Sequence, residues 1–203
     1  MLQRYMLKPV ATPRASLNAV PITLAGRFVC LEPIRHDHAE VFWQIANDSA
    51  DEIFRWYPYR MHTGEDFKEM VEKIFEEQER GESVAFATVE KKSGQVIGST
   101  RFMNIDRANG RAEIGSTWII PAWQRTAVNT EAKYLMLRHA FEVWNCIRVE
   151  LKTDALNERS RAAILRIGAK EEGTFRSVAT SSRGAAASET RFISVFSMAS
   201  GRR

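Results

Sequence analysis

The stretch with the clearest capacity for chemistry runs from Glu113 to Ala132. An apolar-rich run, Glu113-Ile114-Gly115-Ser116-Thr117-Trp118-Ile119-Ile120, stops at Pro121. The polar segment Gln124-Arg125-Thr126-Ala127-Val128-Asn129-Thr130 then leads into an apolar helical pattern. The first amide N–H groups of a helix have no partner within it and sit at the positive end of its dipole. A strand, a short loop and a helix in that order therefore suit a phosphate or diphosphate. A plain strand-to-helix turn has the same outline, so both readings stay open on these residues. Asn157, three residues before Ser160, is placed to cap a short helix. His36 and His38 read as the polar entry of a helix, with a metal pair as the alternative. Trp56, Tyr57 and Tyr59 share one aromatic loop, Ile53 to Met61, which reads equally as a lid on the core or as a wall of a substrate pocket. Cys30 and Cys146 lie far apart in apolar stretches and read as two buried free thiols, without the C-x-x-C spacing of a zinc or redox site.

The elements that must hold these residues follow from hydrophobic periodicity. Phe28 to Pro33 reads as a strand stopped by proline. Asp37 with Glu40 three residues later looks like a capping box ahead of Val41, Phe42, Ile45 and Ala46. Thr63 and Asp66 open a second helix, whose apolar stripe is Phe67, Met70, Val71, Ile74 and Phe75. The period then changes to two. Residues 83–89, 96–102 and 112–120 read as an antiparallel meander with turns at Lys91-Lys92-Ser93-Gly94 and Asn109-Gly110. A helix over 130–143, apolar on most sides through Ala132, Tyr134, Leu135, Met136, Leu137, Ala140 and Phe141, is expected in the core. A strand over 147–152, a helix from Asn157 to Gly168 and two closing strands complete the pattern, with 179–188 as a mobile loop. The connection from the third meander strand through the buried helix is a parallel crossover.

Composition bounds the rest. No run of apolar residues is long enough for a membrane-spanning helix. Lys plus Arg number 29 against 25 Asp plus Glu, a net charge of +4. Five of the basic residues, Arg4, Lys8, Arg14, Arg202 and Arg203, lie at the two ends, so the body is near neutral and gives little support for a nucleic-acid surface. The expected organisation is a flexible arm over 1–21, one domain over 22–199 and a tail over 200–203, in a cytoplasmic protein.

In order along the chain, several segments together resemble the GNAT superfamily of N-acetyltransferases, in the branch of the ribosomal-protein N-terminal acetyltransferases (RimJ/RimL-like). They are Thr23 to Pro33, Val96-Ile97-Gly98 with Ala112 to Gly115, Asn129 to Leu135 with His139-Ala140-Phe141, and Asn157-Glu158-Arg159-Ser160 with Ile167-Gly168-Ala169. The resemblance implies a single mixed α/β (α+β) domain whose central, mostly antiparallel sheet is splayed and flanked by helices. It implies acetyl-CoA as co-substrate, its pantetheine arm on the backbone of Trp118, Ile119 and Ile120. It implies a pyrophosphate on the turn of Gln124, Arg125, Thr126, Ala127, Val128, Asn129 and Thr130. Asn157 would contact the cofactor arm, Glu113 would act as the base, and Ser160 would protonate the leaving thiolate; no metal is implied. The family loop carries glycines where this chain has Ala127 and Asn129, which raises the prospect of a weakened cofactor site. The expected partner is an amine acceptor, a protein N-terminus or a small molecule, with a homodimer open and a membrane or nucleic acid not expected. The rival reading is a non-catalytic acyl-CoA-binding module of the same fold.

Overall fold

The computed structural model describes residues 17–59, 61–179 and 189–199. Two short strands, β1 (Leu24–Ala25) and β2 (Val29–Pro33), precede a helical layer of α1 (His38–Ala46), α2 (Ala50–Ile53) and α3 (Gly64–Glu79). The meander follows as β3 (Val84–Glu90), β4 (Val96–Asp106) and β5 (Arg111–Ile119). Helix α4 (Ala127–Arg138) continues as a π-helical turn over His139–Val143 and leads to β6 (Arg148–Asp154). Helix α5 (Glu158–Arg166) and strands β7 (Lys170–Ala179) and β8 (Glu189–Ala199) close the fold. All eight strands form one sheet, ordered β1-β2-β3-β4-β5-β6-β8-β7, and only β5 with β6 is parallel. The mixed α/β class and the parallel crossover agree with the sequence. The segments read as a mobile loop over 179–188, as the first sixteen residues of the arm and as the tail lie outside the described residues, apart from Ala179 at the end of β7.

Helices cover both faces of the sheet, so β3 is buried at all seven positions. Val84 and Phe86 face a core shared with α4, while Ala85 and Ala87 face a second core under α1 and α3. Leu17, inside the segment read as an arm, is 5% exposed in the first core, and its carbonyl accepts a hydrogen bond from Arg107.

Local signals are realised unevenly. Thr63 and Asp66 form a complete capping box on α3. Asp37 does not cap α1 with its side chain; its carboxylate pairs with Arg35 at 3.1 Å, and Glu40 takes Gln44 instead. His36 stacks on Phe75 and meets Glu72, whereas His38 is buried and accepts the Arg35 N–H. Among the described residues no cluster of three potential metal ligands occurs. Cys146 is buried, and burial pushes its thiol up to about 11; Cys30 is half-buried rather than buried. No helix among the described residues is long and apolar enough to cross a membrane.

Gly98 is fixed by close approach rather than by conformation. A Cβ there would meet the Trp118 carbonyl oxygen across the β4–β5 ladder, a backbone atom that cannot swing aside. Gly98→Ala is expected to destabilise the protein by about 1–3 kcal/mol, read as a lowered midpoint in thermal unfolding.

Candidate functional site

Strands β5 and β6 pair over three residues only: Arg111 with Arg148, Ala112 with Val149 and Glu113 with Glu150. Beyond Glu113, β5 stays paired to β4 and β6 stays paired to β8 as far as Asp154, so the two ribbons diverge. The divergence coincides with a bulge. Thr100 of β4 faces both Ser116 and Thr117, because Ser99 pairs with Trp118 and Arg101 with Gly115. Ser116 takes a φ of 45°, a left-handed conformation that bends the strand. Gly115, Ser116 and Thr117 are half-exposed in the middle of an otherwise buried strand, so the opening reaches solvent there.

Register decides which backbone groups face the gap. The Ile120 N–H donates to the Ile97 carbonyl, and Gly98 pairs with Ile119 and Ser99 with Trp118. Amide groups alternate between the two sides of a strand. Trp118 and Ile120 are therefore directed to β4, and Ile119 turns its amide groups toward β6. Its carbonyl already accepts the Gln124 side chain at 2.9 Å, which leaves its N–H for a ligand. Trp118 contributes its side chain to the core, edge-on to Phe42 and Phe54.

The mouth of the gap meets α4. That helix begins at Ala127, three residues earlier than the sequence pattern suggested, so Ala127, Val128, Asn129 and Thr130 are its first turn. Thr126 is the N-cap; its hydroxyl donates to the Trp123 carbonyl and accepts weakly from Val128. The left-handed residue of this loop is Arg125, with φ 60°, and neither Ala127 nor Asn129 has positive φ. The replacement of glycine at those two positions therefore brings no backbone strain. Arg125 and Thr130 are exposed, and Val128 is buried. The first-turn amides, with the Val128 N–H turned weakly to Thr126, lie beside the exposed Arg125 cation at the positive end of the helix dipole.

The far end of β6 delivers Asn157 and Ser160. The Asn157 carboxamide oxygen accepts the Ser160 N–H at 3.0 Å, capping α5, and its amide nitrogen is left for another partner. Both residues are half-buried. Glu113 stands on the last paired rung, at the apex of the gap. It is 7% exposed and accepts from Lys152 at 2.6 Å and Asn104 at 2.9 Å, both through Oε2. The pair with Lys152 joins the two diverging strands.

Two groups escaped the sequence reading. Lys133 is buried on α4, donating to Thr117 and Thr100, while Tyr134, expected in the core, is 59% exposed. Met136 and Leu137, one turn beyond Lys133 and both buried, were the available signal that position 133 points inward. Arg101 is the second; its Nη1 pairs with Glu77 at 2.6 Å beneath α3, on the inward face of β4.

A model of the acetyltransferase (GNAT) domain matches residues 29–170. An N-acetyltransferase named p20 from Bacillus licheniformis is 28% identical over 109 residues, 54% of this chain and 61% of the relative. A protein of Bacillus subtilis (strain 168), provisionally named a ribosomal N-acetyltransferase, YdaF, is 36% identical over 83 residues, 41% of this chain and 45% of the relative. The chain thus spans between about half and three fifths of the length of these curated relatives. A GCN5-related N-acetyltransferase from Brucella melitensis superposes with a TM-score of 0.78 at 28% identity, over 92% of this chain and 80% of that one.

Proposed function

We propose that this chain, which belongs to the GNAT acetyltransferase family, moves an acetyl group from acetyl-CoA to a primary amine by direct attack with both substrates bound. The observation that carries this reading is the loss of the β5–β6 ladder after Glu113, which opens a strand edge leading to the amino end of α4. The residues present suit the co-substrate. The free Ile119 N–H suits an amide of the pantetheine arm, flanked by Trp118 and Ile120. The Gln124–Thr130 segment, with Arg125, suits the diphosphate. Acetyl-CoA supplies the acetyl group already activated as a thioester, so the chain need only bind, orient and move protons. Glu113 takes the proton of the amine, through water, and Ser160 returns one to the thiolate. The names of the two curated relatives favour an amine acceptor, and that of YdaF favours a ribosomal one.

Incubation with acetyl-CoA and a panel of amines, followed by thiol release and by mass spectrometry of the acceptor, tests the reading. Amine-dependent thiol release with gain of one acetyl group is expected. Binding of acetyl-CoA by titration without release from any amine would overturn it. Asn157 offers a cleaner probe. Asn157→Asp keeps the oxygen that caps α5 but removes the amide donor. The expected result is a several-fold higher KM for acetyl-CoA with little change in melting temperature. Asn157→Ala raises KM similarly and also lowers stability by about 1 kcal/mol through the lost cap.

A further inference from the structure

The turn between β1 and β2 is closed around a side chain of α4. The Glu131 carboxylate accepts three consecutive backbone N–H groups there, from Arg27 at 2.8 Å through Oε1 and from Phe28 at 2.6 Å and Val29 at 2.9 Å through Oε2. Across the same turn the Gly26 N–H donates to the Val29 carbonyl at 2.8 Å. Successive backbone N–H groups that converge on one point make an anion site of the kind that takes phosphates. Here the chain supplies the anion itself. Lys91 borders the seat: its backbone N–H donates to the Phe28 carbonyl and its Nζ donates to the Gly26 carbonyl at 2.7 Å. Its charge acts on the Glu131 carboxylate. Gly26 leaves the room for this, because a Cβ at that position would collide with the Glu131 carboxyl group.

The seat lies directly behind the first turn of α4. Glu131 follows Thr130 and shares a helix face with Ala127 and Val128, four and three residues before it. Val128 and Ala132 pack in the first core with Val29 and Leu31 of β2. That packing is apolar and non-directional, so it holds α4 on the sheet without fixing its slide or rotation. Three charge-assisted hydrogen bonds to one carboxylate are directional and do fix them. They also answer an electrostatic problem. A carboxylate loose within a turn of the helix start would repel a bound diphosphate. Seated against three N–H groups and beside Lys91, it is compensated.

We propose that Glu131 is a positioning residue for the diphosphate of the co-substrate. Its seat in the β1–β2 turn sets the register of α4 against the sheet, aims the first-turn N–H groups, and keeps its own charge away from the bound anion. This rests on the acetyl-transfer reading above. By reciprocity, a diphosphate bound at the amino end of α4 tightens the Glu131 seat.

The test compares acetyl-CoA with S-acetylpantetheine, which carries the reactive arm but no diphosphate, in the wild type, Glu131→Gln and Gly26→Ala. Glutamine puts an NH2 group against backbone donors. Glu131→Gln is expected to lower kcat/KM for acetyl-CoA about tenfold, mainly through KM, the scale of a lost hydrogen bond to a charged group. The kcat/KM for S-acetylpantetheine should change little. In Gly26→Ala the methyl group takes the place of the carboxyl group, and the Glu131 side chain swings out with its charge intact. The loss with acetyl-CoA should then exceed that of Glu131→Gln, and the double variant should return to the Glu131→Gln level. Hydrogen exchange of the wild type needs no variant to fold: CoA should slow exchange of the Arg27, Phe28 and Val29 amides, and pantetheine should not. Equal losses with the two thioesters, a lowered melting temperature with both rates unchanged, or exchange at those amides indifferent to CoA would overturn the inference while leaving acetyl transfer standing. Consumption of neither thioester by the wild type with any amine would overturn acetyl transfer, and the exchange measurement with CoA would still decide the role of Glu131.

Discussion

Lys133→Met is expected to stabilise the protein at pH 7 and to abolish a rise in stability between pH 7 and pH 9. The Lys133 ammonium is buried on α4, and its hydrogen-bond partners are two hydroxyls, Thr117 at 2.5 Å and Thr100 at 3.2 Å. Burial alone lowers its pKa from 10.5 to about 7. The unfolded chain therefore holds this proton up to about pH 10, while the folded chain gives it up near pH 7. Between those values the unfolded state binds more protons, so folding becomes more favourable as pH rises, and below pH 7 the full penalty of a buried charge is present. At about 1.4 kcal/mol per pH unit, the gain from pH 7 to pH 9 is about 2–3 kcal/mol. The window for Lys133 closes near its unfolded value of 10.5, and other groups oppose it from about pH 9. Cys146 and Tyr57, whose pKa values are raised by burial, then ionise more readily in the unfolded chain and pull stability down. Methionine fills a similar volume without the charge, and Thr100 and Thr117 keep their mutual bond at 2.8 Å. Urea unfolding at pH 6, 7, 8 and 9 checks the effect. A wild-type midpoint that is flat with pH, or a variant less stable at pH 6, would refute the placement of a desolvated amine there.

The second large effect is expected at the apex of the gap. Glu113→Gln should lower kcat by about 10²-fold or more, the usual scale for loss of a positioned base, with little change in acetyl-CoA affinity. Glutamine keeps the shape and one acceptor oxygen, so the contacts with Asn104 and Lys152 survive in weakened form and the fold should lose only about 1 kcal/mol. Lys152→Met is the necessary comparison, because Lys152 ties β6 to Glu113. If the carboxylate moves the proton, Lys152→Met retains most of the rate. Equal losses in both variants would instead assign the pair to holding the two strands at the point where they part.

Much of the architecture was legible because each local signal agreed with the tertiary outcome. The three meander strands alternate with period two and are separated by turn residues, and the Thr63–Asp66 box, the Asn157 cap and Gly168 after α5 all act as their residue types suggest. Asp37 shows the limit. An aspartate with a glutamate three residues later satisfies the capping pattern, but Arg35 competes for its carboxylate and wins. The start of α4 was misplaced by three residues because Ala127, Val128 and Asn129 also fit a loop. Lys133 drew no attention as a buried group, since lysines are usually solvated, although Met136 and Leu137 one turn away face inward.

What the residues determined without coordinates was the fold class, the order of elements and the strand-to-helix segment fit for an anion. Those depend on periodicity, proline and capping chemistry, which act over a few residues. What the tertiary structure decided was the opening itself. Three rungs between β5 and β6, a bulge at Ser116 and the turning of the Ile119 amide into the gap are properties of register between segments about twenty to forty residues apart in sequence. The same holds for the seat of Glu131. Its carboxylate meets the amides of Arg27, Phe28 and Val29 across 102 to 104 residues of sequence, and those three donors converge on one anion only once the turn and α4 are packed together.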